Sequence, residues 1–260
     1  MSEQITGTAA GVPFVALGPS STEPAPLVLT WHLMPGSAAE MAAAIPLSGL
    51  DAWRVHFDLP MFGKRQLDGG FAEFFRLASE DNVLNIVEPV TERAAAEFGE
   101  AVAELRSRFS IADGPVGVVG GSAGGAVALE VLARAELEIA AGALINPVVQ
   151  LPPAIAANER RYDVSYNWTA ASRAVADRYD YLRRAGELKQ DLLLVIGEDD
   201  DIAIREPAGL LHRELPDSEL VRIPGLAHEI YDEAGAPVGA AATVDKVLAD
   251  WFSGRLVAAS

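Results

Sequence analysis

Val118-Val119-Gly120-Gly121-Ser122-Ala123-Gly124-Gly125 decides the fold. An apolar, β-branched run ends in a glycine-rich turn, and an alanine- and leucine-rich segment begins directly after it. That order predicts strand, tight turn, helix. A serine on so sharp a turn sits in a strained backbone conformation, so the residues two before and two after it must be small. Gly120 and Gly124 meet that demand, while Ala123 and Gly125 let the helix approach the strand. The same geometry aims the helix N-terminus and the Ala123 N–H at the serine hydroxyl. A phosphate-cradling turn is the competing use of such a junction, and it fails on residues. Ser122 and Ala123 stand where Gly-x-Gly-x-x-Gly needs its second glycine, and no Gly-Lys-Ser/Thr follows.

Outward from this unit the pattern repeats. Buried strands are predicted at 26–32, 52–58, 116–120, 139–147, 192–197 and 220–223. Dense Val, Leu and Ile without strict alternation suits strands covered on both faces. Val12–Leu17 is expected as an edge strand. Helices are predicted at 92–109, 124–135, 206–215 and 238–252; in the first, Ala95, Phe98, Val102, Leu105 and Phe109 recur at helical spacing. The segment 152–190 breaks the alternation with Tyr162, Tyr166, Trp168, Tyr179 and Tyr181. It predicts a helical lid over the sheet, with an ordinary long crossover as the alternative. The expectation is an α/β fold: a mostly parallel central sheet, helices on both faces and a small helical lid insertion. One domain is expected, its core formed by 1–151 and 191–260 and its insertion by 152–190.

Composition narrows the chemistry. The 260 residues contain no cysteine, which excludes disulfides, thiolate metal sites and a cysteine nucleophile. A formal net charge of −17 disfavours nucleic acid and anionic membrane as partners. Met1-Ser2-Glu3-Gln4 lacks the basic and apolar regions of a signal peptide, so a cytoplasmic protein is expected. The most apolar stretch, 139–157, is interrupted by Asn146, Pro147, Gln150, Pro152 and Pro153 and cannot cross a bilayer as a helix.

Serine is a poor nucleophile without a histidine base, itself oriented by a carboxylate. Of four histidines, His228 follows the last predicted strand in Ile223-Pro224-Gly225-Leu226-Ala227-His228. In a parallel sheet that loop shares an edge with the Ser122 turn. His212 is expected on a solvated helix face and His56 as a hydrogen-bonded core residue; His32 ends a strand at the right edge but comes too early for the base. The carboxylate has four candidates after the strand ending at Gly197: Glu198, Asp199, Asp200 and Asp201.

Taken together the sequence resembles the α/β-hydrolase superfamily, over most of its length. Leu29-Thr30-Trp31-His32-Leu33-Met34-Pro35-Gly36-Ser37 is similar to the family's His-Gly-aromatic-Pro-Gly-Ser segment, with Leu33 in place of the usual glycine. The resemblance implies an oxyanion hole from the N–H groups of Met34 and Ala123, with Leu33 as the alternative to Met34. Asp58-Leu59-Pro60-Met61-Phe62-Gly63-Lys64-Arg65 resembles the loop of small bacterial esterases related to dienelactone hydrolase and prolyl oligopeptidase-type domains, where the aspartate is structural. Gly197-Glu198-Asp199-Asp200 is similar to the family's Gly-x-x-Asp, which selects Asp200, and Gly225-Leu226-Ala227-His228 to its Gly-x-x-His.

The expected activity is therefore hydrolysis of a small or medium carboxylic ester by Ser122, His228 and Asp200 through an acyl-enzyme. No cofactor or metal is expected: after His228-Glu229 a zinc-protease pair would need a second histidine where Asp232 stands. Leu33, Met61, Phe62, Tyr166 and Trp168, with Met34, are candidates for an apolar acyl pocket, with core packing as their alternative. Lys64 and Arg65 are either a contact for an anionic substrate or solvated loop charges. A peptidase or thioesterase of the same fold, a non-hydrolytic acyltransferase or lyase, and a non-catalytic ligand-binding protein are the competing functions. A peptidase is expected to carry a further gating domain. The only partner expected is a small-molecule ester.

Overall fold

Apolar runs and amphipathic segments alternate along the chain, and the computed structural model, which describes residues 4–134 and 136–256, converts them into one layered sheet. In order the elements are β1 (Gln4–Ala9), β2 (Val12–Leu17), β3 (Leu27–Trp31), α1 (Ala38–Ala44), β4 (Trp53–Phe57), α2 (Gly70–Asn82) and α3 (Glu88–Arg108). There follow β5 (Val116–Gly121), α4 (Ala123–Arg134), β6 (Ile139–Ile145), α5 (Leu151–Tyr162), α6 (Ala170–Arg178), β7 (Asp191–Gly197), α7 (Ile202–Glu214), β8 (Glu219–Ile223) and α8 (Ala241–Ser253). Residues 1–3, from the segment read for a signal peptide, and residue 135, at the end of the helix predicted over 124–135, lie outside the described residues.

The eight strands stand in the order β1-β2-β4-β3-β5-β6-β7-β8. The β1–β2 and β2–β4 pairs are antiparallel and the other five are parallel. Alternate residues of β3, β5 and β7 feed opposite cores. Leu27, Leu29, Val116, Val118, Leu192 and Leu194 pack with α3, α4 and α7. Val28, Val119, Leu193 and Val195 pack with α1 and α8. Both faces are apolar, which is why these strands show no polar alternation. From β3 the chain moves outward to β4 and then returns to β5 on the other side of β3. That reversal leaves a crevice between the β3 and β5 C-termini, the place where sheets of this kind bind ligands.

Two expectations are corrected, and two helices join those predicted. Val12–Leu17 is not the edge strand: β1 lies outside it, joined by a two-residue turn at Ala10 and Gly11, both with positive φ. Such a turn usually announces itself as Asn-Gly or Asp-Gly, and Ala-Gly does not. Helices α1 and α2 were not predicted; α1 is short, and α2 has no buried residue and exposes Phe71 and Phe75. The helix predicted from 206 begins at Ile202, because Asp201 caps it by accepting from the Ala203 N–H. Among the described residues no helix is long and apolar enough to cross a membrane.

Candidate active site

Ser122 is the single residue between β5 and α4, and its φ of +49° is strained for a non-glycine residue. The flanking glycines are required by contact. A Cβ on Gly120 would lie 2.1 Å from the Gly124 carbonyl oxygen, and one on Gly124 would lie 2.4 Å from the Trp31 oxygen. These absences bring the α4 N-terminus against the end of β3. Ser122 itself is tied to the sheet, its N–H donating to the Ile145 carbonyl at 2.9 Å.

The Ser122 hydroxyl lies 2.8 Å from His228 Nε2, and His228 Nδ1 lies 2.9 Å from Asp200 Oδ2. A neutral imidazole with its proton on Nδ1 satisfies both contacts, donating to the carboxylate and accepting from the serine. The Asp200 side chain is 2 % exposed and that of His228 is 21 % exposed, so the imidazole is reachable while its carboxylate is shielded. The remaining three acids do other things. Glu198 and Asp199 point into solvent, and Asp201 caps α7 and pairs with Arg160. The second Asp200 oxygen accepts from the Asp201 N–H at 2.6 Å.

The histidine loop is fixed by a residue that the sequence reading passed over. Asn146, buried just beyond β6 with φ +43°, donates from Nδ2 to the carbonyls of Ala227 and His228 at 2.8 and 3.0 Å. Its Oδ1 accepts from the Gly197 N–H at 2.7 Å. One amide thus fastens the acid loop and the histidine loop to the neighbouring strand end. The only sequence signal was an Asn-Pro closing a buried strand, a common turn pair. Gly197 is needed beside it, because a Cβ there would lie 2.2 Å from the Leu226 oxygen.

The other singled-out residues divide. Asp58 is buried and accepts from the N–H groups of Ala38 and Lys64, so it is a loop fastener. Arg65 makes a two-pronged pair with Glu97, while Lys64 is exposed. His56 is buried against the Thr30 hydroxyl. His212 is half-buried and hydrogen-bonded to Ser218 rather than freely solvated. Leu33 and Phe62 are buried, Leu33 against Gly121 and Phe62 between the rings of His32 and Phe74. Met34, Met61, Tyr166 and Trp168 keep part of their surface open.

Residues 151–190 divide too. Arg161 on α5 pairs with Glu229, next to His228, and the Tyr166 hydroxyl donates to Asp81 at the end of α2. Burial works to raise the Glu229 carboxyl, but the Arg161 hydrogen bond and charge outweigh it and hold it below the usual carboxylate range. Beyond α6 the chain turns inward: Tyr179 and Tyr181 are buried, and the Tyr181 hydroxyl reaches the Ala126 carbonyl. The latter part of this segment is core. Among the described residues no group of three His, Asp or Glu side chains converges as a metal site requires.

No family model matches the sequence, and no curated protein matches it. Solved structures do. An acylaminoacyl peptidase from Pyrococcus horikoshii is similar with a TM-score of 0.68 and 14 % identity over 100 % of this chain, which spans 42 % of that one. A dienelactone hydrolase from Anabaena variabilis matches at 0.63 and 16 % identity over 99 % of both chains. Carboxyl esterase 2 from the fungus Tuber melanosporum matches at 0.62 and 17 % identity, over 99 % of this chain and 88 % of that one. What superposition at such identities establishes is architecture: this protein has the α/β-hydrolase fold.

Proposed function

We propose that this protein is a serine hydrolase that cleaves a small or medium carboxylic ester. The observation that carries the reading is the unbroken chain Ser122 Oγ, His228, Asp200, set on a strained turn at a helix N-terminus. In the proposed reaction His228 Nε2 takes the hydroxyl proton as Ser122 attacks the ester carbonyl carbon. The N–H groups of Met34 and Ala123 receive the developing oxyanion; Ala123 opens α4, so its N–H has no intrahelical acceptor. The imidazolium then protonates the departing alkoxide, leaving an acyl-enzyme. Water, giving its proton to His228, adds to the acyl carbon, and collapse returns that proton to Ser122 and releases the acid. Asp200 holds the imidazole tautomer throughout.

An ester is favoured because similar folds include proteins named as an esterase and a dienelactone hydrolase. The apolar residues that stay partly open, Met34, Met61, Tyr166 and Trp168, supply a wall for the acyl group, and residues 152–169 act as its lid. A fluorophosphonate probe should label wild-type protein stoichiometrically at Ser122 and leave Ser122→Ala unlabelled, with p-nitrophenyl acetate and butyrate turned over only by the former. A folded wild type that is neither labelled nor active refutes the reading.

A further inference from the structure

Tyr231 lies three residues beyond His228 and is 5 % exposed, yet its hydroxyl leaves its own loop. It donates to the Leu33 carbonyl at 3.1 Å and approaches the Pro35 carbonyl at 3.5 Å. Space for that hydroxyl is reserved: a Cβ on Gly36 would fall 2.0 Å from the phenol oxygen. The Leu33 carbonyl has a second donor. His32 Nε2 accepts from the Leu59 N–H at 3.0 Å, so the imidazole proton sits on Nδ1, which is 2.6 Å from the Leu33 oxygen.

That carbonyl belongs to the same peptide plane as the Met34 N–H. The Leu33–Met34 bond is trans; the cis bond here is the next one, Met34–Pro35. In a planar trans peptide the C=O and N–H point in opposite directions, so fixing one fixes the other. Two donors on the carbonyl also polarise the amide and strengthen its N–H as a donor. Resting on the hydrolase reading above, we propose that Tyr231 is a positioning residue that aims and polarises the Met34 N–H toward the oxyanion, coupling the histidine loop to the oxyanion loop. Burial raises the phenol far above its ordinary pKa, with the Glu40 charge adding to it, so the donor persists at every working pH.

The test is Tyr231→Phe, which removes one oxygen from the full chain, alongside 3-fluorotyrosine at 231, which keeps the hydroxyl. Expected for the phenylalanine variant is a kcat lower by about ten- to thirtyfold, a modest share of what deleting an oxyanion donor outright costs. KM should stay within about twofold, and affinity for a boronic acid, which forms a tetrahedral adduct on Ser122, should fall by the same factor as kcat. The fluorotyrosine form should restore turnover. A hydroxyl that merely anchors the loop predicts a lowered melting temperature with kcat and boronate affinity unchanged, and that result overturns the proposal; if Tyr231→Phe does not fold, a fluorotyrosine form with unimproved boronate affinity overturns it, since the stronger donor should bind the adduct more tightly. An unlabelled, inactive wild type refutes the hydrolase reading and this one with it, whereas an active wild type matched by Tyr231→Phe refutes this one alone.

Discussion

Ser122, Asp200 and His228 sit where backbone does the holding. Asn146 ties two strand-end loops together, Gly120, Gly124 and Gly197 permit contacts no side chain would allow, and Tyr231 and His32 converge on one carbonyl. The surface formed by α2 and residues 159–169 is attached differently. It is joined to the histidine loop by the half-exposed Arg161–Glu229 pair and to itself by Tyr166 and Asp81. An aromatic ladder runs outward along it, from Phe62 against His32 to Phe74, Phe75 and Phe71, the last two 61 % and 59 % exposed. Where a reaction needs geometry within tenths of an ångström, the chain uses buried backbone contacts. Where it needs only apolar area, side chains on exposed helices suffice, and these can vary without disturbing the fold.

The largest effect should come from breaking the held region at its carboxylate. Asp200→Asn should lower turnover by about 10⁴-fold at an unchanged melting temperature, because the imidazole loses the tautomer it needs. Asp199→Asn should be silent, and Asp201→Asn should weaken only the α7 cap and the Arg160 pair. A turnover loss at Asp199 or Asp201 in place of Asp200 sinks the assignment.

Acid should loosen the same region. Burial lowers the pKa of His32 to about 4 and that of His56 to about 3, the Arg54 charge adding to the latter. The folded state therefore refuses protons that the unfolded chain accepts below pH 6.5, so stability falls as pH drops from 6.5 toward about 3. By pH 5 each histidine should have removed about 2 kcal/mol, at one and a half pH units below the unfolded pKa. Urea titrations at pH 7 and pH 5 measure the loss, and His32 and His56 ring resonances that titrate near pH 6.5 contradict it.

The smallest effect should fall on the exposed aromatics of α2. Replacing Phe71 and Phe75 by serine should change stability by no more than about 1 kcal/mol. KM for an octanoate ester should rise about three- to tenfold, the equivalent of roughly 1 kcal/mol of lost apolar contact, with acetate turnover unchanged. If acetate turnover falls equally, α2 belongs to the held region and the contrast fails.

By itself the sequence determined the strand-turn-helix unit, both inner-strand faces and the loop order serine, acid, histidine. Those features follow from local rules: steric crowding at a sharp turn, two-sided burial, and the shared edge of parallel strands. Edge strand β1 was missed because its turn carries Ala10-Gly11, and α2 because Phe71 and Phe75 face outward and none of its residues is fully buried. Chemistry and spacing alone left four adjacent acids open and the family resemblance pointed to Asp200; the tertiary structure brings that one to His228, since all four share one chemistry and differ in where the turn aims them. It alone revealed Asn146 and Tyr231, whose partners lie 81 and 198 residues away in the chain. A residue whose work is to fix another loop's backbone has no local pattern to betray it, because its geometry exists only once distant strand ends have been brought to one edge.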